Sequence, residues 1–120
     1  MLITAEMSDT GTSFLFLCRK MYFDGYTPSS KNTSSEDYNT LCLLAKQLLA
    51  QRGCEGVAYY FTHEDFLIDL WCAHFVLEYG SPSGYIKQKA IDVINKYAQK
   101  SFRVKLAQEE KDWLKENGYL

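Results

Sequence analysis

The sequence predicts an all-α fold, a bundle or short array of four to five helices in a single globular domain that spans residues 1–120. Apolar residues recur at i, i+3, i+4 and i+7 along much of the chain, which is the spacing of a helix with one buried face. Capping residues and glycines mark where these segments begin and end. Because 47% of the 120 residues are apolar, the chain can bury a core without disulfides or metal ions.

The N-terminal segment allows two interpretations. In 13–23 the apolar positions fit a helix, and the small and polar residues of 8–12 predict a turn before it. Apolar residues in SFLFLC also alternate, as they would in a strand. The alternative fold is therefore α+β, with an N-terminal β-hairpin at 2–23. Helix is favoured because the chain offers no second convincing strand for pairing.

Residues 24–35, DGYTPSSKNTSS, form the one clear loop, because Gly, Pro and Ser/Thr dominate this run. Ser34 is predicted to cap the helix that follows. From Glu36 to Gln51 that helix places a regular apolar stripe inward, and Gly53 is expected to end it.

A central helix is predicted over residues 62–80, THEDFLIDLWCAHFVLEYG. Thr62 is a good N-cap, and Gly80 suits a left-handed position just beyond the C-terminus. Apolar residues run almost around this helix, so we expect it to be buried on most sides. Its few polar residues are the first candidates for function, and they are Asp69, His74 and Glu78.

Two further helices are predicted in the C-terminal part of the chain. Either Ser81, with Pro82 at the first helical position, or Ser83 caps a helix whose apolar positions run from Ile86 to Tyr97. A last helix covers about 103–116.

The net charge of −2 is distributed unevenly. Residues 1–80 carry 5 basic and 10 acidic side chains, a net charge of −5, and residues 81–120 carry 8 and 5, a net charge of +3. Such separation is evidence about partners and association rates rather than about fold.

The cysteines and the N-terminal residues predict the cellular compartment of the protein. The four cysteines form no CxxC pair, and the first residues lack the basic and apolar regions of a signal peptide. No apolar run approaches the roughly 20 residues that cross a bilayer. The sequence therefore predicts a reduced, cytoplasmic protein.

The motifs of common enzymes are absent. His63 and Glu64 match the start of a zinc-protease helix motif, but Leu67 occupies the position where the second histidine is required. Glycine motifs for nucleotide phosphates are also missing. The sequence predicts no metal ion, no cofactor and no enzymatic activity. The catalytic alternative is an acid–base pair of His74 and Glu78, which are four residues apart on the central helix.

Acidic residues and tyrosines favour a protein-binding function. Nine tyrosines are more than a small core is expected to hide, and tyrosine is enriched at protein interfaces. Asp65 and Asp69, four residues apart, are predicted to share an exposed helix ridge. An acidic face of this kind suits a basic partner, because complementary charge speeds association. The predicted contact residues are Glu36, Asp37, Tyr59, Tyr60, Glu64, Asp65 and Asp69.

The segment FTHEDFLIDLWCAHFVLEYGSPSGYI and the tail AQEEKDWLKENGYL give the chain a general character that resembles small bacterial immunity proteins of contact-dependent growth inhibition. The resemblance is one of size, acidity and helical style. It implies a non-enzymatic inhibitor that binds and neutralises a cognate toxin domain, for which a basic nuclease is expected. The class shares no motif, so no residue role is carried over from it.

A second hypothesis is a nucleic-acid-associated regulator that uses the segment 87–105, in which six basic residues accompany one acidic residue. Its contact residues would be Lys87, Lys89, Lys96, Lys100 and Arg103. The acidic remainder of the chain opposes this hypothesis, because it would repel phosphate.

Overall fold

The computed structural model describes the backbone of residues 2–29 and 35–120, and the side chains from Thr10 onward within those ranges. The helices are α1 (Leu2–Phe23), α2 (Glu36–Ala58), α3 (Ile68–Tyr79), α4 (Gly84–Lys100) and α5 (Val104–Glu116), and two 3₁₀ turns (Tyr59–Thr62 and Asp65–Leu67) join α2 to α3. The described residues contain no strand. The all-α prediction is therefore confirmed, and the alternative β-hairpin at 2–23 is wrong.

α3 is the central element of the fold. It packs against both α2 and α4, while α1 packs mainly against α2 and α5 against α4. Every residue from Ile68 to Val76 is buried, as expected for a helix that is apolar almost all round. The buried side chains of all five helices form one core cluster.

α1 is longer than the sequence predicts. The turn expected at 8–12 is wrong, because the helix passes through Gly11 without interruption. A Cβ at Gly11 would lie 2.8 Å from Nη2 of Arg52. The glycine therefore gives room to a side chain of α2 rather than ending a helix.

α2 begins at a serine cap and breaks at a glycine, as the sequence predicts, but the cap lies one residue later than predicted. The N-cap is Ser35, whose Oγ accepts a hydrogen bond from the backbone N–H of Tyr38 at 3.3 Å. The predicted cap, Ser34, lies outside the described residues. The predicted stop at Gly53 is confirmed as a break, because φ is 71° and ψ is 175° there, and helix then resumes up to Ala58.

The central helix begins later than predicted. Thr62 does not cap it, since Phe66 and Leu67 adopt left-handed backbone angles with φ of 54° and 58°, and α3 starts only at Ile68. The left-handed conformation expected at Gly80 is also wrong, because its φ is −99°. A Cβ at Gly80 would lie 2.6 Å from Sγ of Cys54, so close packing against α2 requires this glycine.

The C-terminal helices agree with the sequence. Ser83 is the N-cap of α4 and accepts from the backbone N–H of Ile86 at 3.3 Å, so the alternative cap at Ser81 is wrong. The predicted last helix is confirmed as α5. The loop before α2 packs on α5, where the buried Thr27 donates a hydrogen bond to Oε1 of Glu109 at 3.0 Å.

All four cysteines are free, and three of them are buried. Within residues 2–29 and 35–120, each helix is too short or too polar to cross a lipid bilayer.

Candidate functional site

Three aromatic rings meet at the surface where the C-terminal end of α1 contacts the turn before α3. The ring centroids of Tyr22, Phe23 and Phe66 lie 5.6 to 5.7 Å apart, within the range of edge-to-face and tilted aromatic contacts. Phe23 is 67% exposed, although burial in the core would remove this apolar ring from water. With the flanking Arg19 and Arg103, these residues form what we call the Phe66 surface.

The two arginines of the Phe66 surface stack on its rings. Cζ of Arg19 lies 5.4 Å from the ring centroid of Phe66, and Cζ of Arg103 lies 5.8 Å from that of Tyr22. These are cation–π distances. Neither arginine forms an ion pair with a carboxylate among the side chains that the structure describes. Their hydrogen-bonding edges are therefore available to a partner.

A strained backbone places Phe66 on this surface. Two consecutive non-glycine residues in the left-handed region, Phe66 and Leu67, cost on the order of 1–3 kcal/mol each. The surrounding structure supports them, because Leu67 is buried and the backbone N–H of Asp69 donates to the carbonyl oxygen of His63 at 2.8 Å. Strain of this kind is typical of binding sites and other functional positions.

Two adjoining clefts share Glu64, Tyr97, Ser101 and Arg103, the last of which precedes α5. One, of about 500 Å³, lies between Lys96, Lys100 and the fully exposed Phe102. The other, of about 380 Å³, extends to Tyr22 and Phe66. Both clefts open to solvent next to the Phe66 surface, so apolar side chains of a partner could enter them.

Beneath this region a buried carboxylate joins α3 to α4. Asp69 has no exposed surface and accepts hydrogen bonds from the hydroxyl of Tyr97 at 2.7 Å, from Nζ of Lys96 at 3.0 Å and from the backbone N–H of Leu70 at 2.8 Å. Lys96 also donates to Glu64 at 2.7 Å, and this hydrogen bond lowers the pKa of the Glu64 carboxyl. Asp69, which the sequence made a candidate for function, thus anchors α3 to α4.

This arrangement corrects two expectations about Asp69. It is not on an exposed acidic ridge, because α4 covers it and Lys96 neutralises it. It also shares no ridge with Asp65, which belongs to the 3₁₀ turn before the left-handed residues. Asp65 itself is exposed, and it lines the cleft beside Phe66.

His74 lies in a second buried polar cluster, between α3 and α5. Its ring is 1% exposed, and its Nε2 lies 2.5 Å from Oε1 of Glu110 and 3.4 Å from Oγ of Ser29. Its Nδ1 lies 3.5 Å from a carboxylate oxygen of Glu78, the neighbour expected from the sequence. The edge of the ring packs on Trp113, with centroids 4.4 Å apart.

The pKa of His74 reflects two opposing effects. Burial lowers it, but the hydrogen bonds with Glu110 and Glu78 raise it by more, so the net pKa lies above the ordinary value of 6.5. The imidazole of His74, between the carboxylates of Glu78 and Glu110, links α3 to α5. Because the ring is buried, this geometry suits a structural ion pair better than an acid–base pair that meets substrate.

The remaining predicted contact residues are not brought together. Asp37 pairs with Lys20 at the start of α2, whereas the 70%-exposed Tyr59 follows the end of the same helix. The part of α2 before Gly53 alone is about 25 Å long. Tyr60 is buried, and its hydroxyl accepts a hydrogen bond from Arg52 at 3.0 Å, so its predicted exposure is wrong. Glu36, Asp37, Tyr59, Glu64 and Asp65 remain predictions as partner contacts.

The basic segment 87–105 is also dispersed. Lys87 stacks on Tyr119, and Lys89 stacks on the ring of Tyr85 at 4.8 Å. Lys96 is engaged with buried and exposed carboxylates, as described above. Of the five basic residues proposed to bind nucleic acid, Lys96, Lys100 and Arg103 lie at the Phe66 surface or in its clefts.

Sequence reasoning missed several residues of the Phe66 surface and of the buried cluster around His74. Arg19 and Phe23 sit four residues apart on α1, a spacing that could have suggested a shared face. Phe66 gave no signal, because it was expected inside a continuous helix. Glu110 was missed because nothing in its local sequence distinguishes a buried glutamate from the exposed ones around it.

Within the described part of the chain, no three His, Cys, Asp or Glu residues are grouped so that they could hold a metal ion. Comparison of the chain with protein-family models, with curated proteins and with solved structures finds no match. The candidate site therefore rests on its geometry alone, and the Phe66 surface is the strongest candidate.

Proposed function

We propose that this protein acts by binding another protein through the Phe66 surface, as a non-enzymatic inhibitor of the toxin-immunity type. The observation that carries the proposal is the strained backbone of Phe66 and Leu67. This strain holds the half-buried ring of Phe66 at the edge of the core, against Tyr22 and the exposed Phe23. Strained residues of this kind cluster at active sites and ligand-binding positions.

The composition of the surface supports the same proposal. Aromatic residues and arginine are enriched at protein interfaces and dominate their binding energy. Tyr22, Phe23 and Phe66 hold one another in place, and the stacked arginines restrict their motion further. A surface ordered before binding loses less conformational entropy on association.

Part of the predicted contact set is retained in this proposal. Glu64 and Asp65 line the same cleft as Phe66, so they would contact the same partner. Asp69 and Tyr60 are withdrawn because they are buried. A cognate toxin domain remains the proposed partner, on the resemblance in size, acidity and helical style to immunity proteins.

The proposal is tested by affinity capture from a lysate of the native cell, with the tagged wild-type protein and two variants. Phe23→Ser removes a ring of the Phe66 surface, and Tyr85→Ser is the matched control, because the two side chains are 67% and 69% exposed. We expect wild type and Y85S to retain one stoichiometric protein through a salt wash. F23S should lose it, since a hot-spot ring contributes about 2 kcal/mol or more, roughly thirtyfold in affinity.

Two results would contradict the proposal. One is a capture in which no protein is retained stoichiometrically, and the other is equal retention by F23S and wild type. A third variant, Tyr59→Ser, separates the sites. If only Y59S loses the captured protein, the contact lies at the end of α2, as the sequence predicted, and not at the Phe66 surface.

A further inference from the structure

We infer that the partner segment that seats on the Phe66 surface is acidic and carries bulky apolar side chains next to its carboxylates. This inference rests on the proposed function, because it gives the chemistry of the partner at the same surface. It departs from the basic partner that the sequence suggests. The reasons are the state of the arginines, the local charge and the shape of the clefts.

The arginines are arranged for carboxylates. Arg19 and Arg103 each lie over an aromatic ring of the Phe66 surface, and no carboxylate among the described side chains pairs with either. A guanidinium has five N–H donors in a planar fork that matches a carboxylate with two parallel hydrogen bonds. Contact with the rings restricts each guanidinium, so less freedom is lost when a carboxylate binds.

The charge around the surface is positive although the chain carries a net charge of −2. Lys96 is occupied by Glu64 and the buried Asp69. The positive side chains at the Phe66 surface and its clefts are Arg19, Lys96, Lys100 and Arg103, and the negative ones are Glu64, Asp65 and the buried Asp69. Four positive charges against three negative charges leave a net charge of +1, and Arg19 and Arg103 have no carboxylate partner among the described side chains, which favours an anionic ligand. The acidic remainder of the protein would repel an extended polyanion, so a short acidic protein segment fits better than nucleic acid.

The clefts explain why apolar side chains should accompany the carboxylates. Arg103 lines both a cleft of about 500 Å³ and an adjoining one of about 380 Å³. A carboxylate bound to Arg103 would therefore lie next to both openings. Phe102, fully exposed at the edge of the larger cleft, offers an apolar wall for such a side chain.

The test uses purified full-length protein and fluorescence anisotropy with labelled probes. The probes are all short chains, because the acidic remainder of the protein would repel an extended polyanion. They are a random copolymer of glutamate and tyrosine, polyglutamate, a copolymer of lysine and tyrosine, and a single-stranded oligothymidylate. We expect the glutamate–tyrosine copolymer to bind most tightly. Polyglutamate should bind more weakly because it lacks apolar side chains, and the lysine copolymer should not bind.

The variants locate the binding. Arg103→Met and Arg19→Met each keep an apolar stem and remove the charge. We expect each substitution to weaken binding of the glutamate–tyrosine copolymer about tenfold. Lys89→Met is the matched control, because Lys89 also stacks on an exposed ring, that of Tyr85, elsewhere on α4. K89M should bind like wild type. All three replaced side chains are exposed, and thermal melting checks that each variant is folded.

The outcomes separate this inference from the proposed function. Absence of glutamate–tyrosine copolymer binding, or equal losses in R103M and K89M, overturns the inference. Oligothymidylate binding as tight as that of the copolymer also overturns it and favours nucleic acid instead. If the copolymer fails while capture from lysate still depends on Phe23, the proposed function stands and only the acidic chemistry is wrong. If copolymer binding depends on both arginines but no captured protein depends on Phe23, the inference stands and the proposed function fails.

Discussion

Replacing Glu110 by glutamine tests whether the buried pair with His74 holds α5 to α3. Glu110 has no exposed surface, and its Oε1 lies 2.5 Å from Nε2 of His74. Glutamine has nearly the same size, so the substitution removes a charge while it preserves packing. We expect E110Q to fold and to be less stable than wild type at pH 6.

The magnitude follows from the contacts of the histidine. A hydrogen bond to a charged group contributes roughly 1.5–3 kcal/mol, and removal of one partner of a buried ion pair costs roughly 3–5 kcal/mol when the other charge is left uncompensated. His74 can lose its proton, and Glu78 remains 3.5 Å from its Nδ1, although it is 37% exposed and therefore screened by solvent. We therefore expect a loss of about 2 kcal/mol, a large part of the roughly 5–15 kcal/mol of a typical domain.

The pH dependence provides a more specific readout. Burial lowers the pKa of His74, but its hydrogen bonds with Glu110 and Glu78 raise it above 6.5 overall, so the folded protein holds this proton to higher pH than the unfolded chain does. The stabilisation is fully present below pH 6.5 and is lost as pH rises through the folded pKa. The unfolding free energy of wild type should fall above pH 6.5, by up to about 1.4 kcal/mol per pH unit for one proton. In E110Q it should fall less.

The measurement is urea unfolding, followed by circular dichroism at several pH values from 6 to 9 and at constant ionic strength. Other groups titrate in this range in both proteins, so the difference between the two pH profiles is the relevant quantity. Glu116→Gln, an exposed substitution on the same helix, is the control and should follow wild type. An E110Q profile parallel to that of wild type, or a stability difference between the two proteins that grows as pH rises, would refute the reasoning.

Two further substitutions test the fold around the candidate site. Asp69→Asn should lower the unfolding free energy by roughly 2–3 kcal/mol, because it removes a buried charge that Lys96 neutralises, whereas the exposed Asp65→Asn should change little. Urea unfolding compares the two, and similar losses would mean that Asp69 is not the anchor. Gly53→Ala should cost about 1–3 kcal/mol, because φ is 71° there and no atom lies within 4 Å of the added Cβ, so backbone strain is the only penalty. Gly84→Ala, with equal room and no positive φ, should not destabilise, and equal thermal melting of the two alanine variants would contradict the assignment.

The candidate site was only partly predictable. Glu64 and Asp65 were predicted as contacts, and they do line the cleft beside Phe66. Their prediction rested on charge, and charge in a sequence does not report whether a carboxylate is solvated or neutralised. Asp69 shows the difference, since the same pattern that suggested an exposed ridge places it under α4, where Lys96 and Tyr97 satisfy its oxygens.

The strained turn at Phe66 could not be found from local pattern. Thr62 is a favourable cap, and the residues after it suit a helix, so propensity favoured a continuous helix from that point. The structure instead has left-handed angles at Phe66 and Leu67, with Leu67 buried and Phe66 against α1. Contacts with a helix some forty positions earlier in the chain compensate for the strain, and contacts of that range leave no local signal.

The sequence by itself determined the all-α class, the burial of the central helix, the break at Gly53 and the last helix, because helical periodicity, capping and glycine conformations are local properties. Only the tertiary structure decided which polar groups are buried and which aromatic rings stay exposed. Whether Glu110 faces His74, or Arg103 faces Tyr22, depends on how helices distant in the chain are packed. The Phe66 surface is built from α1, the turn before α3 and the start of α5, so it exists only in the folded chain.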